Sequence, residues 1–417
     1  MQIRRHPIKP MTGRSPDEIG RAASPLELLY DLTLVVAFAV AADQLAEQLA
    51  QGHLSAILAF TLAIYATCWC WINFTWFSSA YDTDDVLMRL AVIAQMTGVI
   101  IIALGLPALF ESLEEGSLNE RLVVVGYVVM RLALVGLWIR AYINDVKRRP
   151  TIRVYICGIT LAQIFWILLA FSDLPFHIWI VLIVGIYAFE MLVPYIAETK
   201  RGRTPWHPHH IAERYGLLAL IALGEGISGL VKTVQELMSL NSDVLQVVVV
   251  TATGISLTMG LWWLYFAMPS AQLVASHRNR VFAWAYGHIP LYGSIAAVGA
   301  GLHLMAMSMQ YETGVEPVEG AIAPHPGSST LVLCVALAVY YILVFALFHY
   351  LDGHVPVASV AEVSIACLVL AALVLLRWRY PNMMQPEPTL LIIAFVTWIP
   401  IIHWELAPNG WLGKKSD

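Results

Sequence analysis

The chain has 417 residues and a formal net charge of −5, and 59% of its residues are hydrophobic whereas 13% are charged. Because an average soluble domain carries about 25% charged residues, this composition excludes an ordinary soluble protein and predicts a polytopic membrane protein whose main partner is the lipid bilayer. The basic residues are not gathered into one patch, so we expect no nucleic-acid partner.

The first 23 residues are polar and lack the short apolar core of a signal peptide. We interpret residues 1–23 as a cytoplasmic segment and the first apolar run as an uncleaved anchor. Twelve apolar runs follow, and each has about the 20 residues that a transmembrane helix needs. In chain order they lie near residues 27–48, 54–78, 87–110, 121–142, 152–171, 176–197, 211–233, 244–267, 281–307, 329–350, 357–377 and 389–406.

Lysine and arginine fall mainly in alternate loops between these runs, and loops enriched in these residues usually face the cytoplasm. They precede the first run and recur at residues 147–153, 200–203 and 278–280, whereas acidic residues dominate the intervening loops. We therefore predict that both termini are cytoplasmic, that residues 409–417 form a cytoplasmic tail, and that the protein is a multi-pass protein of a bacterial inner membrane.

The first and seventh runs share a pattern in which an acidic residue at the rim is followed by an aromatic residue and an apolar stretch. The pattern begins at Glu27 in the first run and at Glu213 in the seventh, and aromatic-rich ends recur in the second and eighth runs. Six helices separate the copies, and an even number keeps both halves in the same direction. We predict an all-α integral membrane protein of two parallel six-helix repeats, 24–200 and 201–408. Aromatic belts and rim charges also recur for generic reasons, so an unpatterned set of twelve helices is the alternative.

Four short strings in these runs resemble the bacterial low-temperature-requirement protein A (LtrA) family. They occupy residues 26–32 (LELLYDL), 81–85 (YDTDD), 213–225 (ERYG through LGE) and 262–266 (WWLYF), and the resemblance spans residues 24–405. It implies a multi-helix inner-membrane protein of a family named for growth in the cold. It implies no substrate.

Several polar side chains stand inside apolar runs, where a charge costs about 2.5–3.5 kcal/mol and is by default a functional hypothesis. Arg131 lies in the middle of the fourth run and needs an anionic partner. Glu225 and Glu190 are the available acids, and a Glu225 to Arg131 pair is the simplest arrangement. Such a pair either joins two helices or lets Glu225 exchange a proton or cation. His288 is either a packing residue or a proton stop, and Gln95 follows a basic rim residue in the third run.

A second polar group lies at the predicted cytoplasmic rim. Glu27 and Asp31 are four residues apart and share one face of the first helix. We weigh a solvated salt-bridge ring that joins the first, third and seventh helices against the inner mouth of an ion or proton path. The spacing matches no strong metal template, so we predict no metal site. The other members are Asp82, Asp84, Asp85, Arg89, His210, Glu213 and Arg214.

These residues favour a transporter or channel with a proton- or cation-linked intramembrane carboxylate, acting on an unknown small solute or ion. One alternative is a membrane enzyme that acts on a lipid or isoprenoid at the cytoplasmic face, with residues 81–85 binding a metal-bound head group. Another is a sensor or scaffold without turnover. An enzyme is the less favoured class, and we predict no catalytic residue and no cofactor. A homo-oligomer is left open.

Overall fold

Long apolar helices make up most of the chain in the structure, a computed structural model that describes residues 7–116, 118–239, 242–312, 325–381 and 383–406. A single 3₁₀ turn, Val146–Arg148, precedes α5. The helices are α1 (Pro25–Ala50), α2 (Ser55–Tyr81), α3 (Val86–Glu114), α4 (Arg121–Asn144), α5 (Arg149–Ala170), α6 (Phe176–Lys200), α7 (Pro208–Ser239), α8 (Val244–Phe266), α9 (Ser270–Ser276), α10 (Val281–Glu312), α11 (Pro326–Asp352), α12 (Val357–Arg379) and α13 (Pro386–Leu406).

The prediction of twelve transmembrane helices is confirmed. Within the described ranges, twelve helical segments are long and apolar enough to cross a membrane, and each coincides with one predicted run. The short helix α9 extends the eighth segment, so α10 to α13 correspond to the ninth to twelfth runs. The same ranges contain no β-strand. The protein is therefore an all-α multi-pass membrane protein, while the side on which its termini lie stays a prediction.

The ends of α3 and α11 show how local sequence sets helix boundaries. Asp85 precedes α3, and its carboxylate accepts a hydrogen bond from the Met88 amide at 3.0 Å, which satisfies a donor at the start of the helix. Gly353 follows α11 with φ of 82°, a left-handed conformation that glycine adopts without strain. Pro290 lies inside α10, and the helix continues on both sides of it.

Two compact units make up the fold, and each contains pieces from different parts of the chain. One unit consists of Met1–Val40 and Tyr65–Leu218, and the other of Ala41–Ile64 and Ala219–Asp417. The boundaries between these ranges fall within α1, α2 and α7. The halves predicted from the sequence repeat, 24–200 and 201–408, are a different division of the chain, and they stay a prediction.

Glycines bring neighbouring helices close together in both units. A Cβ atom at Gly98 of α3 would lie 2.6 Å from the carbonyl oxygen of Gly126 in α4, and one at Gly126 would lie 2.5 Å from that of Gly98. In the second unit, a Cβ atom at Gly301 of α10 would lie 2.6 Å from Cα of Leu333 in α11. Such close approach is typical of helix pairs in membranes, where small residues let backbones touch.

Many large apolar side chains lie on the outer surfaces of the helices. Leu104 of α3, Val181 of α6 and Leu368 of α12 are each more than 60% exposed. In water such faces would form extended apolar patches, whereas in a bilayer they contact hydrocarbon at no cost. The distribution of exposed residues thus agrees with the transmembrane assignment made from the apolar helices.

Candidate functional site

The first unit holds a buried charge network that joins α1, α2 and α7 around Arg214. The Arg214 side chain is 0% exposed, and its guanidinium binds Asp31 through two hydrogen bonds, with Nε to Oδ2 at 2.9 Å and Nη2 to Oδ1 at 2.6 Å. Its third nitrogen, Nη1, lies 2.9 Å from Oε1 of Glu27. Trp71 of α2 also donates to Asp31 at 2.6 Å. These fork-shaped contacts fix the carboxylates in position.

The network continues from Glu27 toward the segment before α1. His210 Nε2 lies 3.2 Å from Oε1 of Glu27, and Arg21 lies 3.7 Å from the same carboxylate and 3.6 Å from Asp82. Burial and the nearby charge of Glu27 raise the pKa of Asp82 above its usual range. We call Arg21, Glu27, Asp31, Asp82, His210 and Arg214 the α1–α7 charge network.

The charges in this network do not balance. Its three carboxylates, Glu27, Asp31 and Asp82, face two guanidinium groups, Arg21 and Arg214. One negative charge is therefore in surplus while His210 is neutral. Arg14 also reaches Asp82 at 3.4 Å, but its Nε binds Glu18 at 2.9 Å, so its charge is already matched. One proton or one monovalent cation would neutralise the set.

Four of the predicted rim residues lie outside this network. Asp84 and Arg89 form a largely exposed ion pair with an N to O distance of 2.9 Å. Asp85 binds Arg140 of α4, with Nη1 to Oδ1 at 2.9 Å. Glu213 accepts a hydrogen bond from the backbone amide of Ala23 at 3.1 Å. Asp84, Arg89 and Asp85 therefore make separate contacts at the start of α3, whereas the α1–α7 charge network joins α1, α2 and α7 and includes Asp82, which precedes α3. The choice between a salt-bridge ring and the mouth of an ion or proton path stays a prediction.

Arg131 pairs with Glu190, and the predicted Glu225 to Arg131 pair is wrong. Both Arg131 and Glu190 are 1% exposed, and Nη2 of the arginine lies 3.7 Å from Oε1 of the glutamate. Glu190 also accepts hydrogen bonds from the Tyr127 hydroxyl and, at 3.2 Å, from Gln163. The reason is helix rotation: the glutamate that faces Arg131 is the one on α6.

Glu225 lies on α7 in the second unit and is half-buried. It makes no hydrogen bond or ion pair with any residue that the structure describes, and nothing lies within 4 Å of a Cβ atom built at Gly224. Lys232, which follows Glu225 by seven residues on α7, forms an ion pair with Asp43 at 3.1 Å. Glu225 is thus half-buried and has no hydrogen-bond or ion-pair partner within the described ranges.

His288 and Gln95 are both buried, in different units. His288 Nδ1 lies 2.8 Å from the carbonyl oxygen of Trp284, so this nitrogen donates. Its Nε2 then accepts from the Tyr265 hydroxyl at 3.0 Å. Both ring nitrogens are therefore satisfied in the neutral form, which favours the packing interpretation. In the first unit, Gln95 Nε2 has no hydrogen-bond partner among the described residues.

Sequence reasoning missed several residues that complete these sites. Trp71 and Ser78 hold the α1–α7 charge network from α2, and Tyr127 and Gln163 bind Glu190. Aromatic and amide side chains in apolar helices are common, and their sequence gives no signal of which acid they meet. Glu198, buried at the end of α6, was also missed, although an acid beside a predicted span was a usable signal.

Comparisons with known proteins agree with this picture of the chain. A family model described as bacterial low temperature requirement A protein (LtrA) matches residues 22–397. The chain is also 27% identical over 292 residues to the uncharacterized protein RA0937 of Rhizobium meliloti (strain 1021), a match that covers 67% of this chain and 68% of that protein. Across the described ranges, no three His, Cys, Asp or Glu side chains are grouped as metal ligands.

Proposed function

This chain belongs to the bacterial low temperature requirement A (LtrA) family, and we propose that it is a transporter or channel of the bacterial inner membrane. Its activity is linked to the binding of a proton or a monovalent cation by intramembrane carboxylates. The proposal takes the α1–α7 charge network as the coupling site and Glu225 as a second carboxyl on the same helix, α7.

The observation that carries the proposal is the surplus negative charge of the α1–α7 charge network. Structural ion pairs in membrane proteins are expected to balance, because an unmatched buried charge is costly. Here three buried carboxylates share two guanidinium groups, and a neutral histidine contacts one of the carboxylates. A site that is balanced only after it takes up one positive charge is suited to couple ion entry to a change in structure.

Glu225 is a second, separate carboxyl in this proposal, and it lies in the second unit. It is half-buried and has no hydrogen-bond or ion-pair partner among the described residues, so it is free to bind a proton or a cation. Arg131 and Glu190 neutralise each other and are not part of the proposed coupling site.

Purified protein in liposomes tests this function. A potassium gradient with valinomycin sets an inside-negative membrane potential, internal pyranine reports protons, and uptake of radioactive sodium reports the cation. We expect potential-driven uptake of one of these ions above that of protein-free vesicles. Asp82→Asn removes the surplus charge and Glu225→Gln removes the accessible carboxyl, so each is expected to lower uptake to the background.

Asp84→Asn is the matched control, because it changes the same residue type two positions away in an exposed ion pair. We expect it to transport as the wild type does. Uptake no greater than in protein-free vesicles would overturn the transport proposal. Uptake that Asp82→Asn and Glu225→Gln leave unchanged would overturn the assignment of the carboxylates.

A further inference from the structure

The guanidinium of Arg131 is buried with most of its hydrogen-bond donors unused. Its contact with Glu190 is an ion pair at 3.7 Å, which is longer than a hydrogen bond. Nε and Nη1 of Arg131 have no hydrogen-bond partner among the described residues. Glu190 instead takes its hydrogen bonds from the neutral donors Tyr127 and Gln163. Because a buried arginine is normally hydrogen-bonded at every nitrogen, these free donors call for a ligand.

Other unused polar atoms belong to residues that contact Glu190 or Tyr127. Gln163, which donates to Glu190, has no partner for its Oε1 within the described part of the chain, and the indole nitrogen of Trp166, one turn along α5, has none either. Trp166 packs against Tyr127, with ring centroids 5.7 Å apart, and Arg131 lies 5.8 Å from the centroid of the same tyrosine ring. The four unused atoms are Nε and Nη1 of Arg131, Oε1 of Gln163 and Nε1 of Trp166. Three of the four are nitrogen donors, so this group of residues has more unused donors than acceptors.

We propose that Arg131 and Trp166, in the first unit, form a binding site for a small monovalent anion, of which halides, nitrate, formate and acetate are the chemical candidates. The ligand takes hydrogen bonds from Nε and Nη1 of Arg131, and the indole N–H of Trp166, whose ring packs on Tyr127, is the further donor that we assign to it. The inference goes beyond the proposed ion-linked transport, because equilibrium binding of an anion requires no transport.

Charge limits the ligand to one negative charge and to small size. The single guanidinium already faces the carboxylate of Glu190, so even a monovalent anion adds one buried negative charge, a cost that its hydrogen bonds to Arg131 must offset. A divalent anion would leave two negative charges in an environment that is buried on all sides, where charges interact strongly. The Trp166 ring lies with its centroid 5.7 Å from that of Tyr127 and 4.8 Å from that of Tyr187, and this packing favours a small ligand over a bulky one.

Thermal unfolding of the purified full-length protein in detergent tests the site. The probes are the sodium salts of chloride, bromide, nitrate, formate and acetate, with sodium sulfate at equal ionic strength as the divalent comparison. We expect at least one of the monovalent salts to raise Tm in a saturable manner, since a ligand that binds only the folded state stabilises it. Sulfate is expected to give no saturable rise.

Three variants connect such a rise to the proposed residues. Trp166→Phe keeps the ring and removes the indole donor, so the anion affinity falls by about tenfold, the value of one hydrogen bond to a charged group. Arg131→Gln abolishes the response. Glu190→Gln removes the competing carboxylate, so the anion binds about tenfold more tightly. This variant is less stable than the wild type when no anion is present, and the anion restores its Tm.

Trp398→Phe is the matched control, because it removes an indole donor that binds Ser256 in the other unit, and its response to anions equals that of the wild type. No saturable rise with any monovalent anion, or an equal rise with sulfate, would overturn the proposal. A rise that Trp166→Phe and Glu190→Gln both leave unchanged would overturn it too, even if Arg131→Gln fails to fold. Each of these results leaves the liposome test of transport intact.

Discussion

Arg214 and Arg131 are both withdrawn from solvent, yet their guanidinium groups are satisfied in different ways. Arg214 donates hydrogen bonds to the Asp31 carboxylate and to the Ser78 hydroxyl and forms an ion pair with Glu27, so all three of its nitrogens have partners. Arg131 faces one carboxylate at a longer distance. A buried guanidinium whose donors all have partners holds helices together, whereas one with unused donors can bind a ligand.

Removing the charge of Arg131 alone is expected to destabilise the protein more than removing the charges of Arg131 and Glu190 together. Arg131→Leu leaves a buried, unmatched carboxylate and destabilises the protein by about 3–5 kcal/mol. In Arg131→Leu with Glu190→Gln no charge is stranded, and the amide still accepts the hydrogen bond from Tyr127. We therefore expect the double variant to be the more stable one. Reversible unfolding in mixed detergent measures both, and equal instability would contradict the pair.

The Asp85 carboxylate is expected to give a pH-dependent contribution to stability. Burial alone would raise its pKa, but hydrogen bonds from Arg140 and from the backbone amides of Lys9 and Met88 lower the pKa well below its usual range. Because the folded state has the lower pKa, the stabilisation is present above the unfolded pKa of about 3.9 and is lost as the pH falls through the folded value.

Asp85→Asn is accordingly expected to lower the free energy of unfolding by about 1–3 kcal/mol at neutral pH and to remove this acid-side dependence. Unfolding measured across an acid pH series checks both effects. Asp84→Asn serves as the comparison, since that carboxylate is in an exposed pair. If Asp84→Asn flattens the pH profile as strongly as Asp85→Asn does, the assignment to Asp85 is wrong.

At the scale of helices, close pairs organise each unit. α3 packs on α4 through Gly98 and Gly126 in the first unit, and α10 packs on α11 through Gly301 in the second. These are the third and fourth and the ninth and tenth transmembrane segments, so they occupy matching positions in the predicted six-helix repeats. Glycine pairs also occur in unrelated membrane helices, and the repeat itself stays a prediction.

Enlarging Gly126 is expected to disrupt the α3–α4 pair. In Gly126→Ala the new methyl group meets the backbone of Gly98 and Ile102, which cannot move independently of the helix, so the protein loses about 1–3 kcal/mol of stability. Gly136→Ala on the same helix meets nothing within 4 Å and is expected to be neutral or slightly stabilising. Thermal unfolding compares them, and equal Tm values would contradict the proposed close packing.

For the whole molecule, sidedness depends on the distribution of charge between the two sets of loops. The predicted cytoplasmic loops hold most of the lysine and arginine, including residues 147–153 and 200–203. The twelve apolar helices of the described ranges are an even number, so we expect both termini on one side of the membrane. The positive-inside rule predicts that this side is the cytoplasm.

Reporter fusions are expected to confirm this orientation. Green fluorescent protein at the C-terminus fluoresces only in the cytoplasm, and alkaline phosphatase is active only in the periplasm. We expect fluorescence from the fusion at the C-terminus and phosphatase activity from a fusion in the loop between α3 and α4. The reverse pattern would show that the loop charges do not set the topology of this protein.

The residue sites were predicted less completely than the helices. Glu27, Asp31, His210 and Arg214 were selected as one rim group, and the structure brings these four together. The spacing by four was enough to place Glu27 and Asp31 on one face of α1. The partner of Arg131 was predicted wrongly, because both candidate acids lie in apolar runs and sequence alone does not tell which helix face each occupies.

The sequence by itself determined the twelve transmembrane helices. Each helix satisfies its own backbone hydrogen bonds and must be long enough to cross the hydrocarbon core. Both requirements depend only on residues that follow one another in the chain. Only the tertiary structure decided which charges meet. Arg214 and Asp31 are 183 residues apart, and their contact depends on how α1 and α7 rotate and pack. Such rotations follow from the fit of many side chains at once, which no local pattern contains.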